Sequence, residues 1–190
     1  MHRACCSKVD ADSQVAYLLQ RDQSLVNATD YSNDAPLHYA AFKGKGDVVK
    51  MLLDQGADVD ARGKFGRTAL HDACREGHVS CIHELIAGGA QVEARDRRIE
   101  ATPLHLAAYC NHPDSVKKLV DVYKASANVT DNIGNTALHL AALRGHTDVV
   151  RVLVSSPKCD VTVRNNVGLT SADVARNKGH QDIMALLEAK

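Results

Sequence analysis

Tryptophan is absent from this chain, phenylalanine occurs twice, and aromatic residues make up only 4% of its 190 residues. A core cannot be assembled around large rings. It has to come from Leu, Val, Ile and Ala, which suits short, closely packed helices. Neither sign of charge is in excess, since 23 basic and 23 acidic residues cancel. No global field draws the chain to nucleic acid or to an anionic membrane, so electrostatic preferences have to arise locally. No apolar run approaches the ~18–20 residues of a membrane-spanning helix. Met1-His2-Arg3-Ala4-Cys5-Cys6 offers no apolar stretch of signal-peptide type. A cytoplasmic or nuclear protein is the expectation, with neither membrane nor nucleic acid among its partners. The six cysteines are then expected as thiols, with Cys74 and Cys159 as small buried hydrophobes and Cys5-Cys6 as the exposed pair.

Catalytic signatures are missing as well. The chain has no G-x-S-x-G, no phosphate-binding loop and no H-E-x-x-H. Gly44-Lys45-Gly46 lacks the rest of a nucleotide-binding loop. His78, Cys81 and His83 lie close together, yet no second pair completes four metal ligands. These absences predict a non-enzymatic protein with no cofactor and no metal site.

What the chain does have is a phrase that returns. Pro36-Leu37-His38 comes back as Thr68-Ala69-Leu70-His71, as Thr102-Pro103-Leu104-His105 and as Thr136-Ala137-Leu138-His139, with a degenerate copy at Thr170-Ser171-Ala172-Asp173. The leucines step by 33, 34 and 34 residues, a period that identifies stacked repeats. Within one copy, Asp131–Asn135 reads as a turn, Thr136 as a helix N-cap and Gly145 as a left-handed helix end. The second helix shows the stripe Val149, Val150, Leu153, Val154 at helical spacing. Gly44, Gly77 and Gly179 match Gly145, and Asn111 substitutes for it. Ala35 replaces the capping hydroxyl in the first copy, at an expected cost of about 1 kcal/mol. The period also accounts for eight of the ten histidines, leaving His2 and His83 outside it.

These residues resemble the ankyrin-repeat family: a turn, then T-P-L-H-x-A-A-x-x-G-H, then V-V-x-x-L-L-x-x-G-A. The resemblance implies an all-α solenoid of paired antiparallel helices with β-hairpin fingers, capped at both ends and monomeric. The expected organisation over residues 1–190 is a partial repeat at 1–29, repeats at 30–62, 63–95, 96–130 and 131–164, and a capping repeat at 165–190. The partial repeat carries the stripe Val15, Leu18, Leu19.

The resemblance further implies a protein partner, held on the concave surface formed by finger tips and first helices. Carried onto this sequence, that surface comprises Tyr31, Phe42, Lys43, Lys64, Phe65, Arg67, Arg75, Arg97, Arg98, Tyr109, Ile133, Leu143 and Arg144. It gathers both phenylalanines and seven cations in a chain of zero net charge. Aromatic and Arg side chains dominate protein interfaces, and the excess of cations predicts an acidic partner segment. One stretch is more particular. Glu100-Ala101-Thr102, Tyr123-Lys124-Ala125-Ser126 and Gly134-Asn135-Thr136 are similar to the gankyrin-like proteasome-assembly chaperones, which implies docking on the C-terminal domain of a proteasomal ATPase. A third expectation is a substrate-recruiting domain of a larger enzyme complex.

Overall fold

A computed structural model of the protein describes residues 22–190. The Val15, Leu18, Leu19 stripe and Cys5-Cys6 lie outside them. The described residues form ten α-helices and no strand. In chain order these are α1 (Pro36–Phe42), α2 (Gly46–Asp54), α3 (Ala69–Glu76), α4 (Val79–Ala87), α5 (Pro103–Tyr109), α6 (Pro113–Lys117), α7 (Ala137–Arg144), α8 (Thr147–Ser155), α9 (Ser171–Lys178) and α10 (Gln181–Glu188). Odd-numbered helices pack side by side in one layer and even-numbered helices in a second behind it. No helix among the described residues is long and apolar enough to cross a membrane.

The core lies between the layers. Leu37, Leu70, Leu104 and Leu138 from the odd helices are fully buried, as are Leu52, Ile82, Leu85, Leu153 and Ile183 from the even ones and Leu119 just beyond α6. Helices of five to nine residues are marginal alone in water, so each depends on the apolar face of its neighbours. Cys74, Cys81 and Cys159 are buried free thiols.

The expected start and stop signals act as local chemistry predicts, with instructive variations. Pro36 and Pro103 open their helices, where the missing N–H costs nothing. Gly77, Gly145 and Gly179 end theirs at φ near +77°, and Asn111 does the same at φ +63°. The Thr136 and Thr170 hydroxyls accept the amide three residues on, at 3.4 and 3.2 Å. Ala35 has no hydroxyl, but its own amide still donates to His38 Nδ1 at 3.1 Å, so the uncapped helix keeps half of the arrangement. In the last copy Asp173 takes the histidine's part, its carboxylate accepting the Thr170 amide at 3.1 Å. Arg176 then bridges Asp173 and Glu188 at 2.9 and 2.7 Å, dressing the end of the stack with polar groups.

The third helix pair departs from the plain helical stripe that Val116, Leu119 and Val120 suggest. Beyond α6 the backbone widens into a π turn at Lys118–Val122, which absorbs one extra residue while still burying Leu119 and Val120. Lys124 then occupies φ +59°. The longer third finger likewise absorbs its extra residue at Glu100, φ +56°.

The fingers project from the odd-helix layer. Their closing bonds include Gly63 N to Arg67 O at 2.8 Å with Gly66 N to Gly63 O at 2.9 Å, and Asp131 N to Asn135 O at 2.9 Å with Gly134 N to Asp131 O at 3.0 Å. They are hairpin turns too short to count as strands. Their first residues stiffen them: Asp96 Oδ1 accepts three backbone amides, Asp131 Oδ1 two and Asn165 Oδ1 two. Successive fingers are stitched together by Arg97 N to Phe65 O, Asn132 N to Ile99 O and Asn166 N to Ile133 O, at 2.8 to 3.1 Å.

Candidate functional site

Two ladders of histidine tie each repeat to the next, one through the fingers and one through the ends of the odd helices. In the first, Nδ1 of His38, His71, His105 and His139 accepts a backbone amide at the start of its own helix. That leaves the proton on Nε2, which donates to a carbonyl of the next finger: Arg67, Ala101, Asn135 and Leu169 in turn, at 3.0 to 3.1 Å. An Nδ1 that accepts an amide carries no proton, so this pattern of bonds calls for the Nε2–H tautomer of the ring. Burial pushes the His71 imidazole down to about 4 against the opposing pull of its bond to Ala101, and burial lowers His105 and His139 also. In the second ladder His78, His112 and His146 donate to the Phe42, Arg75 and Tyr109 carbonyls, at 3.1, 2.8 and 3.0 Å. His83 meets the Tyr123 hydroxyl at 2.9 Å, so His78 and His83 serve different partners.

These ladders hold open a groove of about 800 Å³ between the fingers and the odd helices. Nine of the thirteen residues expected on the concave surface line it: Phe42, Lys64, Phe65, Arg67, Arg75, Arg98, Tyr109, Ile133 and Leu143. Lys43 and Arg144 stand at its rim, stacked on the Phe42 and Tyr109 rings at 5.1 and 4.9 Å. Tyr31 is fully exposed on the first finger. Arg97 lies to one side, its stem packed over the Gly66 backbone, where any Cβ would fall 2.3 Å from Arg97 Cγ.

The rim is built from cations on rings. Phe65 is about half exposed at 48%, and it sits at φ +60°. Lys64, Arg67 and Arg98 approach its ring at 5.3, 5.6 and 5.8 Å. The ring quadrupole attracts all three and keeps their charges clustered. Arg67 is committed further, to an ion pair with buried Asp96 at 3.6 Å. Lys64, Arg98 and Arg144 have no carboxylate partner among the described residues.

The floor contains residues that motif reading passed over. Tyr39, Asp72, Leu106 and Leu140 each follow a motif histidine, and all four line the groove. That position varies most within the phrase, and its variability is the signal that could have found it. Asp72 is the outlier. Its carboxylate makes no hydrogen bond or ion pair among the described residues. Burial pushes its carboxyl up to about 7, helped by the Asp34 charge and opposed by Arg67 and Arg75. Cys110 also lines the groove, half-buried, with its thiol held up by burial.

Stacked helix pairs, hairpin fingers and a long groove define a helical-repeat solenoid. A family model for ankyrin repeats matches in three copies over residues 1–63, 55–131 and 104–190. The chain therefore belongs to the ankyrin-repeat family, and its repeats are a non-enzymatic protein-interaction module. It is similar to the probable E3 ubiquitin-protein ligase XBOS33 of Oryza sativa subsp. japonica, 35% identical over 64% of this chain and 24% of that protein. The E3 ubiquitin-protein ligase XBAT33 of Arabidopsis thaliana is 39% identical over 44% of this chain and 16% of its own length. Ankyrin repeat and SOCS box protein 16 of Mus musculus is 40% identical over 43% of this chain and 17% of its length. The chain thus spans a quarter or less of these relatives.

Proposed function

We propose that the groove holds an extended acidic segment of a partner protein. The observation that carries this reading is the set of Lys64, Arg98 and Arg144, whose charged ends are stacked on the Phe65 and Tyr109 rings and make no ion pair among the described residues. Such cations are positioned without being neutralised, so a partner carboxylate gains a charge-assisted contact without breaking an existing pair. Phe42, Ile133 and Leu143 supply apolar surface between them. Two groove acids are already engaged with backbone: Asp34 Oδ1 accepts the Lys64 amide at 2.8 Å, and Asp131 Oδ1 accepts amides of its own finger.

A more specific role is that of a substrate-recruiting part of a larger enzyme complex. The names of the two plant relatives support it, since each is a ubiquitin ligase of which the matched repeats are a minor portion. A gankyrin-like chaperone, docking a proteasomal ATPase, would use the same groove; the stretch from Glu100 to Ala141 supports that role.

Affinity capture from cell lysate tests the reading, with the wild-type chain compared against the combined Lys64→Glu, Arg98→Glu, Arg144→Glu variant. Partners held through acidic segments are expected in the wild-type fraction alone. A principal partner retained equally by both proteins would overturn the groove assignment. Ubiquitin-ligase components in the wild-type fraction favour substrate recruitment, and proteasomal ATPases favour the chaperone role.

A further inference from the structure

The repeat puts the same three positions of successive copies into the groove: a finger tip, the residue after the motif histidine, and the residue three further along the odd helix. In the second copy these are Phe65, Asp72 and Arg75, in the third Ile99, Leu106 and Tyr109, and in the fourth Ile133, Leu140 and Leu143. The second set is charged beyond its finger tip. The third and fourth carry no charge and are apolar but for the Tyr109 hydroxyl. Both are open to a ligand: Tyr109 and Ile133 are 38% and 54% exposed, and Ile99 and Leu143 are half-buried. The groove therefore presents two like apolar subsites one repeat apart, beside the cations gathered on Phe65.

The dimensions of the groove select an extended occupant. One wall comes from α1, α3, α5 and α7, and four helices side by side span about 25–30 Å. A volume of about 800 Å³ spread over that length leaves a channel about 5 Å across, whereas an α-helix with its side chains needs about 10–12 Å. An added β-strand would need a free backbone edge, and the finger-tip carbonyls of Phe65, Ile99 and Ile133 already accept amides of the next finger. A polyproline II segment is slender and needs no such edge, because water solvates its backbone. It rises about 9 Å over its three-residue turn, which matches the ~8–10 Å between neighbouring helices.

We infer that the third and fourth copies bind two apolar side chains, three residues apart on a polyproline II segment of the partner, and that the next step of three brings an acidic residue to Lys64 and Arg98. The inference rests on the groove reading above and specifies the conformation and register of the bound segment. Each apolar side chain enters between a finger tip and an odd helix, at Ile99, Leu106 and Tyr109 or at Ile133, Leu140 and Leu143. Asp72 and Arg75 give the second copy no apolar floor, which sets the order of acid and apolar residues along the segment. Equal steps on the two partners let both apolar side chains seat together. A spacing of two or four residues seats only one of them.

The test is the fluorescence anisotropy of labelled synthetic peptides titrated with the full chain. Each peptide carries two leucines in a proline–alanine background with glutamates at both ends, the leucines being two, three, four or seven residues apart. Spacing three is expected to bind about tenfold more tightly than spacing two or four, since only there do both leucines leave water. Ile133→Ser should reduce that preference to less than about twofold. Val167→Ser, at an exposed finger tip outside the groove, should leave it intact. Binding that is equal, or absent, at all four spacings would overturn the paired subsites, as would a preference for three that survives Ile133→Ser. A maximum at seven, which is about 10 Å of α-helix, would overturn the extended conformation. Glutamine in place of the glutamates separates this inference from the groove reading: an unchanged affinity that keeps the preference for three would support the paired subsites and overturn the acidic segment.

Discussion

Asp72 shows at residue scale how stability and binding pull apart. Its neighbours along the groove, Leu106 and Leu140, occupy the equivalent place with apolar side chains. An unfolded aspartate ionises near 3.8 and the folded one near about 7. Between those values the folded chain keeps a proton that the unfolded chain has shed, so the carboxylate destabilises the fold increasingly as pH rises through the window. Asp72→Asn is therefore expected to stabilise the protein by about 1–2 kcal/mol above pH 7, allowing for partial exposure, with the gain fading toward pH 4. Urea melts at pH 7.5 and 4 check this; a gain that is equal at both, or absent, would mean the carboxylate is not held up by its surroundings. The histidines run in the opposite sense. Unfolded His71 protonates near 6.5 and folded His71 near about 4, so its contribution is intact above 6.5 and lost as pH falls toward 4. The structural role of these rings was legible from their recurrence alone. The floor position was not, because a residue one place after the motif histidine reads equally well as core.

At the scale of elements, the period located the helix pairs and their stops. It could not locate the π turn at Lys118–Val122, because an apolar stripe at three- and four-residue spacing tolerates one inserted residue without losing its buried side. Glycine at the end of an odd helix does two jobs that the sequence presents as one. Gly77 and Gly179 both have φ +77°. A Cβ at Gly77 would lie 2.4 Å from the His112 ring, which itself donates to the Arg75 carbonyl, while a Cβ at Gly179 meets nothing within 4 Å. Gly179→Ala should cost about 1 kcal/mol for left-handed backbone alone, and Gly77→Ala about 3 kcal/mol or more through displacement of the imidazole as well. Equal shifts in the urea midpoints of the two variants would show that the second histidine ladder adds little.

At the scale of the molecule, the described helix pairs pack chiefly against their neighbours, so stability is a sum of local units and interfaces, while function depends on a surface that crosses several of them. The fold was legible because every copy repeats the same buried residues. The groove was legible in outline, because the tips and first helices are where copies differ and where Phe65, Arg98 and Tyr109 stand out from a chain poor in aromatics and neutral in charge. The ring-stacked cations at the rim were not, since Lys64, Arg67 and Arg98 come from two fingers and meet only around one phenyl group. Heteronuclear NMR of the labelled chain, titrated with a synthetic glutamate-rich peptide, tests the central claim most directly. Amide shifts should concentrate at Phe42, Lys64–Arg67, Arg98, Tyr109 and Leu143, with those on the opposite face, such as Lys50 and Arg151, unmoved. Shifts centred on the even-helix layer, with the groove amides unchanged, would contradict the account.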